Sequence, residues 1–423
     1  MSDSGNPLRV EYGELGNGLT IARQRPPPGA ASFSATFVGP AGWGSESSAQ
    51  GGIARLVNQL VTSAAGRYDR VSLARLLDRA GATLARQCAP ESAEVTIWGP
   101  ADEWEMLMGV LADVVLRPRF DSEDVARVRR QAIERQLREL AQPASRADRE
   151  LMQAIFPIGH PYRSTGTGDR RTLTHLRRAD LVRFHGEHYV GRDSLLVVTV
   201  PAALPVVQRV VGRAFGALPD TPAPALHFPE RTLSSPGQRT VDLPGHSQVE
   251  LRLGGPSIAR DAPDYPAAFL ANEILGGRPL LARLFQRVRE RGGLAYHASS
   301  ELEAMRFGGY WTVQAGTGPA RWKKVVPMLR SELDRLETAP VPDRELEMIR
   351  ESAIGEIPLA LESTSDAHEL AVELAYHRLP GDYLLRWPEE LRKVRAADVR
   401  RAAEVAMDGR GASFVLAGPA GAR

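Results

Sequence analysis

Residues 176–181 read LRRADL, and residues 394–399 read VRAADV. The two segments lie about 220 residues apart, far more than the period of a solenoid repeat. Each leads into a β-type run, SLLVVTV at 194–200 and ASFVLA at 412–417. Such a long repeat predicts a duplicated domain.

Further matching pairs support the duplication. Trp104 and Trp322 each follow a β-type run and a glycine-containing turn, and each precedes a helical pattern. Asp121 and Asp343 each stand at the start of another helical pattern. The two halves are therefore expected to contain the same elements in the same order.

A proline-rich segment separates the halves. Residues 218–229 read LPDTPAPALHFP, and four prolines in so short a span are typical of a stiff, extended linker. We predict an N-terminal domain at 8–218, a linker at 219–233 and a C-terminal domain at 234–420.

Hydrophobic periodicity gives the fold class. Strand-like alternation occurs at 94–98 and 248–253, and helical spacing occurs at 71–77 and 125–137. Each half is predicted to run as two strands, two helices, two strands, three helices and a strand. Clustered strands with helices packed on one face of each sheet define an α+β class.

Composition narrows the function. The chain has 423 residues, 43% of them hydrophobic and 25% charged, as expected for a globular protein with more than one domain. A net charge of +2 gives no electrostatic support for nucleic-acid binding.

The single cysteine, Cys88, excludes an internal disulfide and is expected to be inert. The N-terminus lacks a signal-peptide pattern and no apolar run is long enough to span a bilayer, so we expect a cytoplasmic protein without membrane contacts.

Several short segments together resemble one known family. They are Asn17-Gly18-Leu19, Gly51-Gly52-Ile53-Ala54, Gly159-His160-Pro161-Tyr162, Leu275-Gly276-Gly277 and Gly293-Leu294-Ala295-Tyr296. In order and spacing they resemble the pitrilysin or insulinase-type zinc peptidases, close to the mitochondrial processing peptidase. The resemblance covers nearly the whole chain. It implies two homologous α/β-roll domains of the LuxS/peptidase-like kind, with antiparallel or mixed sheets.

The zinc motif of that family is degenerate in this sequence. Where active members have H-x-x-E-H, residues 51–60 read GGIARLVNQL and place Arg55, Asn58 and Gln59 at the three chemical positions. Arginine has no lone pair for a metal, and amides are poor zinc ligands. A further glutamate ligand is implied on a later helix, and the matching window 130–136 contains Glu134, which we interpret as a solvated carboxylate. We therefore predict no catalytic residue and no metal on this chain.

A histidine pair offers the other candidate for a metal. His185 and His188 form an H-x-x-H spacing, but no third ligand is evident nearby. We interpret the pair as an ordinary helix end.

The resemblance implies a substrate-binding role for the second half. The family's Arg and Tyr that handle substrate match Arg289 and Tyr296, and Gly276 and Gly277 match part of a glycine-rich loop that contacts peptide. The structural alternatives are a core aromatic at Tyr296, a surface partner of Glu290 at Arg289 and a helix C-terminal cap at the glycines. In two-chain members one subunit holds zinc and the other supplies the Arg and Tyr, and unfolded peptides add a strand to a sheet edge.

These features lead to one hypothesis and two alternatives. The chain is predicted to be the non-catalytic, substrate-binding subunit of a heterodimeric zinc peptidase, with zinc on the partner. One alternative is a structural subunit of a larger assembly with no proteolytic role. The other is an active enzyme with a displaced metal site.

Overall fold

The computed structural model describes residues 6–229 and 236–419. The strands are β1 (Val10–Glu14), β2 (Thr20–Gln24), β3 (Ser32–Gly39), β4 (Thr83–Cys88), β5 (Ala93–Pro100), β6 (Leu195–Thr199), β7 (Gln238–Asp242), β8 (Val249–Ser257), β9 (Ala295–Met305), β10 (Gly308–Thr317) and β11 (Ser413–Gly418). The helices are α1 (Ile53–Val61), α2 (Arg70–Ala80), α3 (Trp104–Leu116), α4 (Ser122–Ala141), α5 (Pro143–Ile155), α6 (Arg170–His175), α7 (Arg178–His188), α8 (Leu204–Phe215), α9 (Tyr265–Asn272), α10 (Trp322–Thr338), α11 (Asp343–Leu359), α12 (Thr364–Tyr376), α13 (Tyr383–Lys393) and α14 (Ala396–Ala406). Two stretches with a wider, π-helical turn lie at Glu273–Gly277 and Phe285–Glu290.

The first compact unit contains the sheet of the first half. It comprises the described parts of Met1–Gln136, Ser164–His227 and Ile357–Leu385. Its strands follow the order β1-β2-β6-β3-β5-β4, so β1 and β4 are the edges. Neighbouring strands are antiparallel except β2 and β6, which are parallel.

Both faces of this sheet are covered. On β6, Leu196 and Val198 belong to the main core, which the helices of the first half complete. The alternate residues Leu195 and Val197 pack on the other face with Ala371 of α12, because side chains of a strand alternate between faces. The sequence predicts helices on one face, and α12 adds a layer on the second face.

The second compact unit contains the sheet of the second half, which has five strands where the first sheet has six. It comprises the described parts of Leu137–Arg163, Phe228–Glu356 and Arg386–Arg423. Its strands follow the order β7-β11-β8-β10-β9, in which only the pair of β7 and β11 is parallel. Helix α5 packs Ala147, Leu151 and Ile155 against Val415 and Ala417 of β11. These α5 residues are four apart and therefore share one face of the helix.

The repeated segments form the same local structure in both halves. At the start of α7 the backbone N–H of Arg177 donates to Asp180 at 2.9 Å, and at the start of α14 that of Arg395 donates to Asp398 at 2.9 Å. The predicted β-runs that follow are β6 and β11, and the two matching tryptophans begin α3 and α10. The α+β class, with two related sheet-and-helix domains, is confirmed.

Neither compact unit is a single continuous stretch of the chain. The predicted boundaries follow chain order, whereas 137–163 belongs to the second unit and 357–385 to the first. The boundaries 8–218, 219–233 and 234–420 stay predictions. Parts of them, at 230–235 and at 420, lie outside the described residues.

The helices can also be compared with the thickness of a bilayer. A spanning helix needs about 20 predominantly apolar residues. Within 6–229 and 236–419, no helix combines that length with that composition. The cytoplasmic location stays a prediction.

Candidate functional site

The segment that resembles a degenerate zinc motif forms helix α1. Gly52 precedes the helix with a φ of 93°, in the left-handed region that favours glycine. A side chain at Gly52 would also meet Leu173 at 2.7 Å. The carboxylate of Glu46 accepts hydrogen bonds from the N–H groups of Gly52 and Ala54, both at 2.9 Å. These bonds satisfy backbone donors at the helix start and fix where α1 begins.

Arg55 lies at the position of the first metal-binding histidine implied by the resemblance. Its guanidinium stacks over the ring of Trp43, 4.6 Å from the ring centroid. The indole N–H of Trp43 donates to the carbonyl of Ser164 at 2.9 Å, which holds the ring in place. Arg55 therefore makes a cation–π contact at a position where a metal ligand needs a lone pair.

The other two positions of the motif hold amides that bond to neighbouring elements. Asn58 is 3% exposed, and its Nδ2 donates to the carbonyl of Glu94 at 3.0 Å, which ties α1 to β5. The Nε2 of Gln59 donates to Oε1 of Gln131 in α4 at 3.2 Å. Both side chains are thus used in neutral hydrogen bonds.

This set of donors does not fit zinc. Zinc in proteins takes thiolate, imidazole or carboxylate ligands, whereas this site offers a guanidinium and amides. Glu134 of α4 is exposed, and Gln131 is the residue of that helix that bonds Gln59. Among the described residues, no group of three or more His, Cys, Asp or Glu side chains is arranged to hold a metal ion. We derive no metal chemistry on this chain, and the absence of a metal stays a prediction.

A cleft opens beside α1 within the first unit. It is a shallow cleft that is open to solvent, and the space of about 300 Å³ around its lining includes bulk solvent. Two cationic side chains line it, Arg55 of α1 and Arg135 of α4. The remaining lining residues are Gly52, Leu56, Gln59, Ala132, Gly166, Thr167 and Leu173. Among the residues that the structure describes, the lining of this cleft is therefore cationic and contains no carboxylate.

Burial weakens the acidity of the groups around α1. It raises the pKa of Glu46 to about 8, although two backbone donors and Arg55 act in the opposite direction. Burial also raises the pKa of Glu94 to about 7, and the charge of Glu369 adds to this effect. Burial raises the pKa of the Cys88 thiol to about 12, so the thiol stays protonated at neutral pH.

The histidine pair is part of the packed interior of the first unit. The Nε2 of His185 lies 2.8 Å from the carbonyl of Val115, and the Nδ1 of His188 lies 2.9 Å from the carbonyl of Phe184. Burial lowers the pKa of His185 to about 4 and also lowers the pKa of His188. These neutral rings bond to backbone, in agreement with an ordinary helix end.

Arg289 and Tyr296, the predicted substrate-binding pair, are both exposed in the second unit. The guanidinium of Arg289 lies 5.0 Å from the ring centroid of Phe285. Tyr296 is on the edge strand β9 with 58% of its surface exposed, which excludes the core-aromatic alternative. Gly293, with a φ of 57°, makes the turn between them. Their joint role on substrate stays a prediction.

Gly276 and Gly277 lie at the end of a wide helical stretch that packs on β9. A side chain at Gly276 would collide with the backbone of Ser300, and one at Gly277 would collide with the carboxylate of Glu273. Gly276 is buried. Close packing against backbone therefore requires glycine at 276, whereas the side-chain ends near Gly277 could shift. The contact of both glycines with peptide stays a prediction.

Three residues of the first-unit site carry no signal in the sequence. Trp43, Glu46 and Gln131 each contact α1 from another part of the chain. Gln131 lies inside the window 130–136, but its amide carries no signal of a functional group. Only the three-dimensional contact with Gln59 reveals its position.

Two family models match the chain in sequence. The model described as "Insulinase (Peptidase family M16)" matches residues 20–165, and "Peptidase M16 inactive domain" matches residues 175–353. The chain belongs to the insulinase (M16) family. The degenerate motif therefore lies in the part of the chain that matches the peptidase model of M16.

Similar M16 proteins are named as zinc proteases. An uncharacterized zinc protease of Streptomyces coelicolor is 32% identical over 214 residues, which is 49% of this chain and 45% of that protein. An uncharacterized zinc protease of Rickettsia bellii is 22% identical over 403 residues, 91% of this chain and 92% of that protein. The match to the Streptomyces protein thus spans less than half of its length.

Solved structures show the same M16 fold. A structure from Pseudomonas fluorescens, titled as a peptidase M16 inactive domain, has a TM-score of 0.90 at 22% identity and covers 97% of this chain and 98% of that chain. A protease from Helicobacter pylori has a TM-score of 0.89 at 17% identity, with 97% and 99% covered. The periplasmic protease PqqL of Escherichia coli has a TM-score of 0.81 at 14% identity, with 97% and 45% covered. At these identities the likeness shows the fold alone, and the LuxS-like relation stays an expectation.

Proposed function

We propose that this chain is the non-catalytic, peptide-binding subunit of a heterodimeric zinc metallopeptidase. Its partner would carry an intact H-x-x-E-H motif and the zinc ion. The observation that carries the proposal is the set of contacts on α1. Arg55 stacks on an indole, Asn58 bonds to a strand and Gln59 bonds to a second amide. A peptidase-family chain whose motif is used in this way would need zinc from another subunit in order to take part in cleavage.

The second unit supplies groups suited to a peptide backbone. A guanidinium such as that of Arg289 presents several fixed donors to carbonyl oxygens or a carboxylate. A phenol such as that of Tyr296 can donate to the carbonyl under attack, where charge develops. Tyr296 also lies on an edge strand, whose free backbone groups can pair with an extended peptide. These features support a role in binding substrate.

Reconstitution tests the proposal. The purified chain is mixed with the H-x-x-E-H subunit that co-purifies from the native host, and cleavage of an unfolded peptide is measured. The chain alone should cleave nothing, and the mixture should be active. Tyr296→Phe should lower kcat by about 100-fold, the effect of removing one donor to a developing oxyanion. Arg289→Ala should raise KM by about tenfold, since it removes a charge-assisted hydrogen bond.

The matched control is Arg330→Ala, which removes an exposed arginine of α10 in the same unit. This variant should behave as the parent does. Unchanged cleavage with Tyr296→Phe and Arg289→Ala would refute the assigned roles. Stable association with an assembly that has no peptidase activity would instead favour the structural-subunit alternative.

A further inference from the structure

Two arginines line the cleft beside α1, and two more lie near it on neighbouring elements. Arg55 and Arg135 line it directly. Arg86 lies on the neighbouring strand β4 and donates to the hydroxyl of Thr62, just beyond α1, at 3.2 Å. Arg127 stands on α4, two turns before Arg135. The region of the degenerate motif, where active members of the family bind a zinc cation, therefore carries a cluster of positive charges in this chain.

The cations are close enough to affect one another. The pKa of Arg86 is lowered by burial first, and then by the charges of Arg135 and Arg127. Arg127 is compensated by Asp124, at 2.6 Å from its guanidinium. Within the part of the chain that the structure describes, no carboxylate pairs with Arg55 or Arg135. The two arginines that line the cleft therefore form no ion pair within the described residues, although the charge of Glu46 acts on Arg55.

One donor of Arg55 has no hydrogen-bond partner in the described parts of the chain. The Nε of Arg55 is buried and has no hydrogen-bond partner among the described residues. Glu46, the acid whose charge acts on Arg55, already accepts two backbone N–H groups, and burial raises its pKa to about 8. Because this Nε has no exposed surface, the donors that an anion in the cleft could reach are the terminal N–H groups of Arg55, whose side chain lines the cleft.

We propose that this cleft binds a carboxylate group of a peptide, so that the degenerate motif serves as an anion-recognition site. This inference rests on the proposed peptide-binding function. Planar guanidinium groups bind carboxylates through paired hydrogen bonds, and a peptide always offers carboxylates, at its C-terminus or on acidic side chains.

The edge strand gives a route for the peptide. β4 is at the end of the first sheet, and β5 is its partner on one side. An extended peptide paired to the free side of β4 would lie next to Arg86 and α1.

Calorimetry on the full chain tests the inference without any partner. The probes are trialanine with a free carboxylate, trialanine amide, and a tripeptide amide with one central aspartate. The free acid should bind at least about tenfold more tightly than trialanine amide. If the aspartate amide binds as tightly as the acid, the site accepts side-chain carboxylates also. If it binds as weakly as trialanine amide, the site is specific for the C-terminus.

Matched variants locate the site. Arg135→Gln and Arg55→Gln should each weaken binding of the acid by about tenfold, because each removes a charged donor. Arg55→Lys keeps the positive charge but replaces the guanidinium that stacks on Trp43. Binding retained in this variant would show that Arg55→Gln loses binding through its charge and not through the Trp43 contact. The control is Arg75→Gln, an exposed arginine of α2, which should bind as the parent does.

Two results would overturn the inference. One is equal affinity for the acid and both amides. The other is parent-like affinity in both Arg135→Gln and Arg55→Gln. Neither result touches the reconstitution test, in which Tyr296→Phe and Arg289→Ala are assayed for cleavage. Conversely, a failed reconstitution with intact carboxylate binding would refute the subunit role and leave this site standing.

Discussion

Acid should weaken the first unit through a buried histidine of α12. His368 is 2% exposed, and its two ring nitrogens lie 2.7 Å from the hydroxyl of Thr36 and 2.8 Å from that of Thr199. These hydroxyls belong to the central strands β3 and β6. Burial lowers the pKa of His368 to about 3, because a charged ring would lose its hydration there.

The size of the effect follows from linkage. An unfolded histidine has a pKa of about 6.5. Below that pH, residue 368 binds a proton in the unfolded chain, whereas His368 stays neutral in the folded chain. The free energy of unfolding therefore decreases as the pH falls, by up to about 1.4 kcal/mol for each pH unit. Between about pH 6.5 and about pH 5 this residue should account for a loss of about 1.7 kcal/mol.

Urea denaturation of the parent and of His368→Gln at the two pH values measures this loss. A glutamine amide can bond both hydroxyls and does not titrate. The variant should lose about 1.7 kcal/mol less stability than the parent on acidification. His175→Gln, which changes an exposed histidine of α6, should follow the parent. Equal losses in the parent and His368→Gln would refute the reasoning, as would an NMR titration of His368 near its ordinary pKa.

Further predictions concern the same unit. The Cys88 thiol, with its pKa raised to about 12, should react with a thiol reagent at least about 100-fold more slowly in the native chain than in denaturant, and equal rates would contradict the burial argument. Asn58→Ala should cost about 1–3 kcal/mol in urea denaturation, because the carbonyl of Glu94 loses its partner. Gln59→Ala, which breaks an exposed amide pair, should cost less, and the reverse order would be inconsistent with the observed contacts. Phe37→Ala should cost about 3–5 kcal/mol in the same assay, since it empties a fully buried position in the core, and a loss below about 1 kcal/mol would contradict that packing.

The duplication was predictable because its signals are local. The segments at 176–181 and 394–399 each contain an aspartate that caps a helix three residues after the residue it bonds. The β-type runs that follow are continuous and strongly apolar, and both become central strands. Capping and hydrophobic runs act over a few residues, so a single sequence carries them fully.

The exchange of helices between sheets was not predictable in this way. An amphipathic helix such as α12 shows that it needs an apolar surface, but its sequence does not specify which sheet provides it. Ala371 packs on Val197 of a strand in the other half of the chain, and only tertiary structure reveals this contact.

The candidate site also has features that the sequence predicts and features that only the tertiary structure reveals. The loss of metal ligands at Arg55, Asn58 and Gln59 can be read from residue chemistry alone. The residues that contact Arg55 and Gln59 cannot be predicted in this way, because Trp43 and Gln131 come from distant segments of the chain. The positive charge of the cleft likewise depends on arginines from three separate elements.

The most direct test of the account combines metal content with cleavage on the same sample. The purified chain is incubated with zinc and dialysed, and its metal content and peptide cleavage are then measured. A positive control carries Arg55→His, Asn58→Glu, Gln59→His and Gln131→Glu, which restore ligands on α1 and on the facing position of α4. We predict far less than one zinc ion per parent chain and no cleavage without a partner, with bound zinc in the control. Stoichiometric zinc in the parent, together with chelator-sensitive cleavage by the chain alone, would contradict the account.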